Sequence, residues 1–572
     1  MSESVRASTA RSSFAPTPRE AWLTAIGIFV LALGVRAWAA AMISFPVPED
    51  TAYYFGVARN LLEGRGLVSD ALWSYQTAPL VLPRPAFEVW LPLPTFLAAV
   101  PMAVLGPTFQ AGQVAAVTIG ALVPVLAWRL AADVAAEIAL PVGRARTLAI
   151  GTGIAAAVYG PLVTHSALTD STMPFAVFAL AACLLMTRLL RDPRGARAGD
   201  PRLLALGALL GLAALTRNEA IWLALVWAAL AWWDPGRHKP DRGIRIRRIL
   251  LPAAVAIVVF APWALRDLLV FGTPLPGQAA ANAFSVTGFD VFAWQDQPTL
   301  ARYLAQGPAA LVSARVDGFL HNLLLVLVVP GIPVGLIGLL TLPWTGRGEA
   351  LRPLLVLSIL IFAVATLAFP VATRWGTFLH AAGPVHVLLL VACIRALDVG
   401  IAQLGRRLGW TRPVAWLGPL LVVAVATPLM LLSVATLGNL ARETDQRHRD
   451  LARVLAGSNL LEPGSGVAAS AGQPVIERIP VIADHPVWAA EALRIPALAL
   501  PDEPPSSVVD LARTFGARLL VTSTDDEDRW PAILSRGDPG AACFQPVSLR
   551  DPDTAAVPAS LEDTRVYRID CP

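Results

Sequence analysis

Runs of about 15 to 25 apolar residues recur through the first three quarters of this chain, and they constrain its fold more than any other feature. A hydrocarbon core of about 30 Å is crossed by about 20 residues of α-helix, fewer where neighbours bury a broken helix. The runs read as spans are Trp22–Phe45, Ala111–Leu130, Leu148–Thr164, Met173–Leu190, Leu203–Thr216, Ala220–Trp233, Ile249–Phe271, Phe319–Leu342, Pro353–Phe369, Leu379–Leu397 and Pro413–Leu437. Leu91–Leu105 is shorter, carries Pro92, Pro94 and Pro101, and reads as a helix lying at the interface. Trp22–Phe45 is too long for the apolar region of an ordinary signal peptide and contains Arg36. It therefore reads as a retained anchor, despite the cleavage-like Ala39-Ala40-Ala41.

Composition agrees. Of 572 residues, 55% are hydrophobic and 15% charged, with a mean hydropathy of +0.59. A soluble domain carries about a quarter charged residues, so much of this surface faces something other than water. The net charge is +4, but Lys and Arg fall in short blocks between apolar runs. With no basic stripe interleaved with aromatics, the pattern argues against nucleic-acid binding.

Those blocks set the orientation. Arg188, Arg191, Arg194, Arg197 and Arg202 crowd one loop. Arg237, Lys239, Arg242, Arg245, Arg247 and Arg248 crowd another, and Arg395, Arg406, Arg407 and Arg412 a third. Positive loops face the cytoplasm, together with a tail (1–20) carrying Arg6, Arg11 and Arg19. Segments 46–110, 165–171, 272–318 and 370–378 then lie outside. About eleven spans form an all-α bundle over 21–440 in a plasma (inner) membrane, with the C-terminus external.

From about Ala441 the pattern becomes soluble α/β. Val481–Ala483, Ala497–Leu500 and Arg518–Thr522 read as strands, alternating with helices at Val487–Leu493 and Val508–Phe515. Ser506 or Ser507 is the expected cap of the second helix, and a small parallel sheet the expected result. No glycine-rich phosphate loop is present, so 441–572 reads as a structural domain or a cover over an external site. Cys543 and Cys571 fall within it and are available for a disulfide if it is external. Cys183 and Cys393 lie in apolar runs and read as buried thiols.

Polar residues gather at the external ends of the spans. Pro48-Glu49-Asp50-Thr51-Ala52-Tyr53-Tyr54 follows the first, and a helix from there should stop at Gly64 or Gly66. Asp170 stands in Thr169-Asp170-Ser171-Thr172-Met173-Pro174-Phe175, between two spans. Leu215-Thr216-Arg217-Asn218-Glu219 breaks two short apolar segments, and Thr373-Arg374-Trp375-Gly376-Thr377-Phe378-Leu379-His380 forms an external hairpin. Acids at a helix start are often only caps. Several charges at these depths on one side are nevertheless expensive, which points to function.

In their order and sidedness these segments resemble the GT-C superfamily of glycosyltransferases, over roughly residues 20–400. The resemblance is to the family-39-like branch, which includes protein O-mannosyltransferases and the aminoarabinose transferases of lipid A. It implies a hexosyl or pentosyl transferase that moves sugar, with inversion, from a polyprenyl-phosphate donor to an external acceptor: protein, glycolipid or polysaccharide. Asp50 would be the general base, Glu49 the second choice, and Asp170 would orient the acceptor or assist. Arg374, then Arg217, would hold the donor phosphate, since guanidinium matches it bidentately. His380 would touch the phosphate or simply pack at a helix end. Arg36 would pair with an acid inside the bundle, and Trp73, Tyr75 and Trp90 would wall the site from water. A cofactor is not required. A divalent cation is compatible, Mg²⁺ or Mn²⁺ on Asp50 and Asp170, and no His or Cys cluster in the sequence suggests zinc. The competing readings are a transporter or lipid flippase, and a scaffold presenting the α/β domain; internal repeats or midplane charges would favour the former.

Overall fold

The computed structural model describes residues 17–192, 200–233, 242–411, 414–458, 460, 479–523, 529–551 and 554–571. Arg6, Arg11, Arg194, Arg197, Arg237, Lys239 and Arg412, which contribute to the expected orientation, lie outside the described residues.

The apolar runs are helical. Among the described residues seven helices are long and apolar enough to cross a bilayer. They are α1 (Pro18–Met42), α4 (Phe109–Gly120) continued as α5 (Leu122–Glu137), α8 (Thr172–Arg191) and α11 (Arg242–Phe271). The others are α14 (Gly307–Leu320) with its π-helical continuation to Val328, α18 (Gly383–Arg407) and α19 (Leu417–Gly457). An eighth forms if α6 (Val142–Ala157) and α7 (Gly160–Ser166) count as one span bent by 52°. The remaining apolar runs are shorter helices: α3 (Leu93–Leu105), α9 (Pro201–Ala214), α10 (Ala220–Trp233), α15 (Val334–Thr345) and α16 (Arg352–Leu367). By length and composition the described residues thus give seven or eight spans, which does not confirm the expected count of about eleven. The run read as Phe319–Leu342 is divided between α14 and α15, because Pro330 and Pro333 stand between them and proline lacks the amide a continuous helix needs. Short α12 (Gln278–Ala281) and α13 (Leu300–Ala305) lie in the segment before α14.

Arg36 shows how the bundle accommodates a break. It is fully buried on α1, yet it meets no acid. It donates to the carbonyls of Ala156 and Ala157, at 3.5 and 3.2 Å, and to Ser166 Oγ at 2.9 Å. The two carbonyls belong to the last turn of α6, whose end lacks helical partners where the chain bends into α7. A side chain with five donors satisfies them where no water reaches.

After α1 the chain turns into α2 (Glu49–Leu62), with both acids at its positive end. Gly64 and Gly66, at φ of +80° and +82°, stop it. β1 (Val68–Ser69) and β3 (Arg84–Pro85) form a small ladder beyond it. Between them β2 (Ala71–Leu72) joins a six-stranded sheet built mostly by the C-terminal region.

The order of that sheet is β2-β5-β4-β6-β8-β7, with β4 (Val481–Ala483), β5 (Ala497–Ala499), β6 (Leu519–Ser523), β7 (Phe544–Pro546) and β8 (Thr564–Ile569). The first four strands of the order are parallel, but β8 runs antiparallel to both β6 and β7, so the sheet is mixed. Strands β4, β5 and β6 are buried throughout, as expected of strands covered on both faces. α20 (Pro486–Leu493) and α21 (Pro505–Phe515) alternate with them. Neither Ser506 nor Ser507 caps α21. Pro504 occupies the cap position, and Ser506 is instead held by Asp538. The boundary expected between 440 and 441 falls inside α19, whose last turns place Leu451, Ala452 and Leu455 against α20 and β4. A disulfide joins Cys543 and Cys571; Cys183 and Cys393 are free and buried.

Candidate active site

Asp50 is the second residue of α2, close to the end of α1. Asp170 lies in the turn between α7 and α8, where its Oδ1 accepts from the Thr172 amide at 2.9 Å. The bland cap reading of Asp170 is therefore half of the truth. Its other oxygen accepts from His165 Nδ1 at 2.8 Å. His380 sits on α17 (Thr377–Ala381), the one-turn helix of the hairpin, and its ring stands between the two acids. His380 Nε2 is 3.1 Å from Asp50 Oδ2. Nδ1 is 2.8 Å from Thr172 Oγ1 and 3.5 Å from Asp170 Oδ2.

The two carboxylates differ in access. Asp170 keeps 1% of its side chain exposed, whereas Asp50 keeps 26%. Burial pulls Asp170 towards the neutral acid, but His165 and His380 overcome it and hold the carboxyl well below its usual range. For His380 burial favours the neutral ring, yet hydrogen bonds to Asp170 and Asp50 carry it up to about 9. At neutral pH the imidazolium is thus favoured, with Nε2 facing Asp50 and Nδ1 facing Thr172 Oγ1 and, farther off, Asp170.

Arg217 closes one side. It forks onto Glu219 at 3.0 and 2.8 Å, and donates to Ser171 Oγ at 2.9 Å and to the Thr377 carbonyl at 3.1 Å. Tyr54, one turn after Asp50, shares Ser171, and burial followed by the charge of Asp50 pushes its phenol up. It stays neutral.

Other expected residues lie elsewhere. Glu49 Oε1 accepts from the amides of Val487 and Trp488, at 2.9 and 3.4 Å, and so binds α20 rather than His380. Arg374 is half exposed, with NH2 at 3.3 Å from Asp317. Trp90 lies tilted between Tyr53 and Trp73, with ring centroids 4.1 and 4.4 Å away. Tyr75 instead donates to the Ala499 carbonyl of β5. His380 is buried near the end of α17, and its nitrogens face two acids and a threonine. His165, Tyr54, Ser171 and Thr172 were not singled out in the sequence. The spacing His165-x4-Asp170 at a span end is the signal that would have found the first of them.

His165, Asp170 and His380 offer ligand atoms within 4.8 Å of one another, a set that could hold a metal ion. Two imidazoles and a carboxylate suit a borderline cation such as Zn²⁺ or Fe²⁺ better than Mg²⁺ or Mn²⁺. The pair expected to share an ion, Asp50 and Asp170, face opposite edges of the His380 ring.

The hairpin turn depends on Gly376, at φ +102°. A Cβ there would lie 3.0 Å from His380 Cδ2 and Nε2. Gly376→Ala should cost about 1–3 kcal/mol in backbone strain and push the ring off Asp50. Both melting temperature and turnover should fall; a variant that keeps both would contradict this placement of His380.

No family model matches the chain, and no curated protein does. Solved structures do. The archaeal oligosaccharyltransferase AglB from Archaeoglobus fulgidus, in complex with an inhibitory peptide and a dolichol-phosphate, aligns at a TM-score of 0.54 and 13% identity. The alignment covers 92% of this chain and 72% of AglB. ArnT from Cupriavidus metallidurans, bound to undecaprenyl phosphate, aligns at 0.53 and 15% identity over 96% of this chain and 99% of ArnT. At such identities the likeness is one of fold: this chain shares the fold of AglB and of ArnT.

Proposed function

We propose that this chain is a membrane glycosyltransferase that moves a sugar, with inversion, from a polyprenyl-phosphate donor to a hydroxyl of an external acceptor. The observation that carries the reading is the asymmetry of the acid pair. Asp50 is partly open at the end of α1 and aligned by His380, while Asp170 is sealed behind it. A base must meet substrate, and an orienting group must not move. Asp50 takes the proton of the acceptor hydroxyl as its oxygen bonds to the anomeric carbon. The bond from that carbon to phosphate oxygen breaks, and the lipid phosphate leaves with the electron pair. The charge growing on that phosphate meets Arg374, whose guanidinium keeps open donors, whereas Arg217 is already committed to Glu219, Ser171 and Thr377. The polyprenyl phosphates named with AglB and ArnT support this donor class.

In this reading Asp50 works without a metal. If an ion binds, His165, Asp170 and His380 would hold it and it would polarise donor oxygens. The protein would lie in the plasma membrane with the tail cytoplasmic and the α/β region external. A transporter or flippase would move the lipid intact, and the acids gathered at one end of the bundle favour transfer over transport. Incubating purified protein with polyprenyl-phosphate sugars and following the lipid by mass spectrometry separates the two. Transfer consumes the sugar lipid; transport leaves its mass unchanged.

Arg374→Ala should weaken donor binding and lower turnover by about 10²-fold, the scale for losing a donor to developing charge. Lys should rescue only in part, because it lacks the planar fork. Unchanged donor affinity and rate in Arg374→Ala would move the phosphate to Arg217.

A further inference from the structure

We infer that Glu49 is a positioning residue through which the C-terminal α/β region fixes the placement of Asp50. The inference rests on the reading of Asp50 as the base. Consecutive helical residues leave the axis about 100° apart, so adjacent acids cannot face the same partner. Asp50 turns to His380, and Glu49 turns to the start of α20. That helix has no side-chain cap of its own, its cap position being held by His485. Glu49 supplies the missing acceptor from 438 positions away, binding the Val487 and Trp488 amides, and its Oε2 lies 3.5 Å from His485 Nδ1. A carboxylate at the positive end of a helix suits both orphan amides and dipole.

The contact continues along both helices. Arg59 pairs with Glu491, and Glu63 with Arg494 at 3.1 Å. Positions 49, 59 and 63 of the α2 segment thus meet 487, 491 and 494 in order, so the helices run alongside each other in one direction. Trp488 Nε1 donates to the Pro46 carbonyl at 3.0 Å, anchoring the chain just before α2. On the opposite side Thr169 Oγ1 donates to the Thr51 carbonyl at 3.1 Å and Thr95 Oγ1 to that of Tyr54 at the same distance. The turn bearing Asp50 is therefore gripped between the bundle and α20, and Glu49 is the outer grip nearest the base.

The test compares Glu49→Ala, Glu49→Gln and Arg494→Ala with wild type, using purified full-length protein and a polyprenyl-phosphate sugar. A misplacement of about 1 Å costs about 10²-fold in rate, so Glu49→Ala should lose about ten- to a hundredfold in kcat. KM for the lipid should hold within about twofold, since such a loss falls on the transition state. Gln keeps a carbonyl acceptor for the two amides and should restore most of the rate. Arg494→Ala loosens the far end of the same helix and should lower kcat in the same sense, which keeps the idea testable if Glu49→Ala fails to fold. A lowered melting temperature with unchanged kcat per folded molecule would reduce Glu49 to a structural cap and overturn the inference. Glu49→Gln as inactive as Ala would overturn it too, making Glu49 the base. Asp50→Asn is assayed alongside: if that variant is active, the reading of the base has failed, whatever Glu49 does.

Discussion

Asp50→Asn should turn over donor at least about a hundredfold more slowly than wild type, the lower end of what a general base supplies. Membrane insertion, melting temperature and donor binding should stay near normal. The amide is isosteric but cannot take a proton from the acceptor. A hundredfold is about 2.7 kcal/mol of barrier, at 1.36 kcal/mol per decade. An acid favoured only by the helix dipole contributes about 0.3–1 kcal/mol, and that would show in stability rather than in rate. The cap reading is further weakened because Pro48 holds the cap position of α2 and no side chain bonds there. Turnover and melting measured on one sample therefore discriminate. If both Asp50→Asn and Glu49→Gln keep their turnover, the start of α2 is not the catalytic site.

Replacing His380 should have the second largest effect, on stability as well as rate. Its cation lies between Asp50 and Asp170, and removing one partner of a buried charged set costs about 3–5 kcal/mol. The pH dependence has a definite sign. His380 is held at about 9, above its usual 6.5, so its contribution is complete below about 6.5 and is lost as pH rises through about 9. The melting-temperature gap between wild type and His380→Gln, measured in detergent from pH 6 to 10, should be widest at the acid end and close at the alkaline end. A gap that does not vary with pH would show that the ring is neutral and the acids are held otherwise. Turnover of His380→Gln should fall as well, because Asp50 loses the donor that aligns it.

Local signals were read well and non-local ones were not. Apolar runs of about 20 residues fold as helices because the bilayer leaves the backbone no other way to satisfy itself, and α1, α8 and α18 lie where hydropathy puts them. The division between α14 and α15 was missed because residues 319–342 are mostly apolar, and a hydropathy sum does not register two prolines. The strands at Val481–Ala483 and Ala497–Ala499 were legible as short apolar runs between helices. Strand β8, in Thr564–Ile569, is short and its burial does not alternate cleanly, Val566 and Tyr567 both being buried; it was passed over, so the sheet looked wholly parallel. No local pattern marks Ala71–Leu72 as an edge strand, since its partner, β5, is supplied by residues more than 400 positions away.

The sequence by itself determined that the chain enters a membrane, where its helices run, and that polar residues such as Asp50, Asp170 and Arg217 stand at breaks between apolar runs. Hydrophobicity and helix termini are properties of neighbouring residues, so they can be read one stretch at a time. Which of two adjacent carboxylates meets His380, and which meets the amides of α20, was decided only by tertiary packing. The helical turn aims Glu49 and Asp50 in different directions, and what waits in each direction comes from chain hundreds of positions away. The same holds for Arg36, whose partners proved to be carbonyls freed by a bend in another helix, and for His165, which becomes part of the site only when α7 brings it to Asp170 and the hairpin lays His380 beside them.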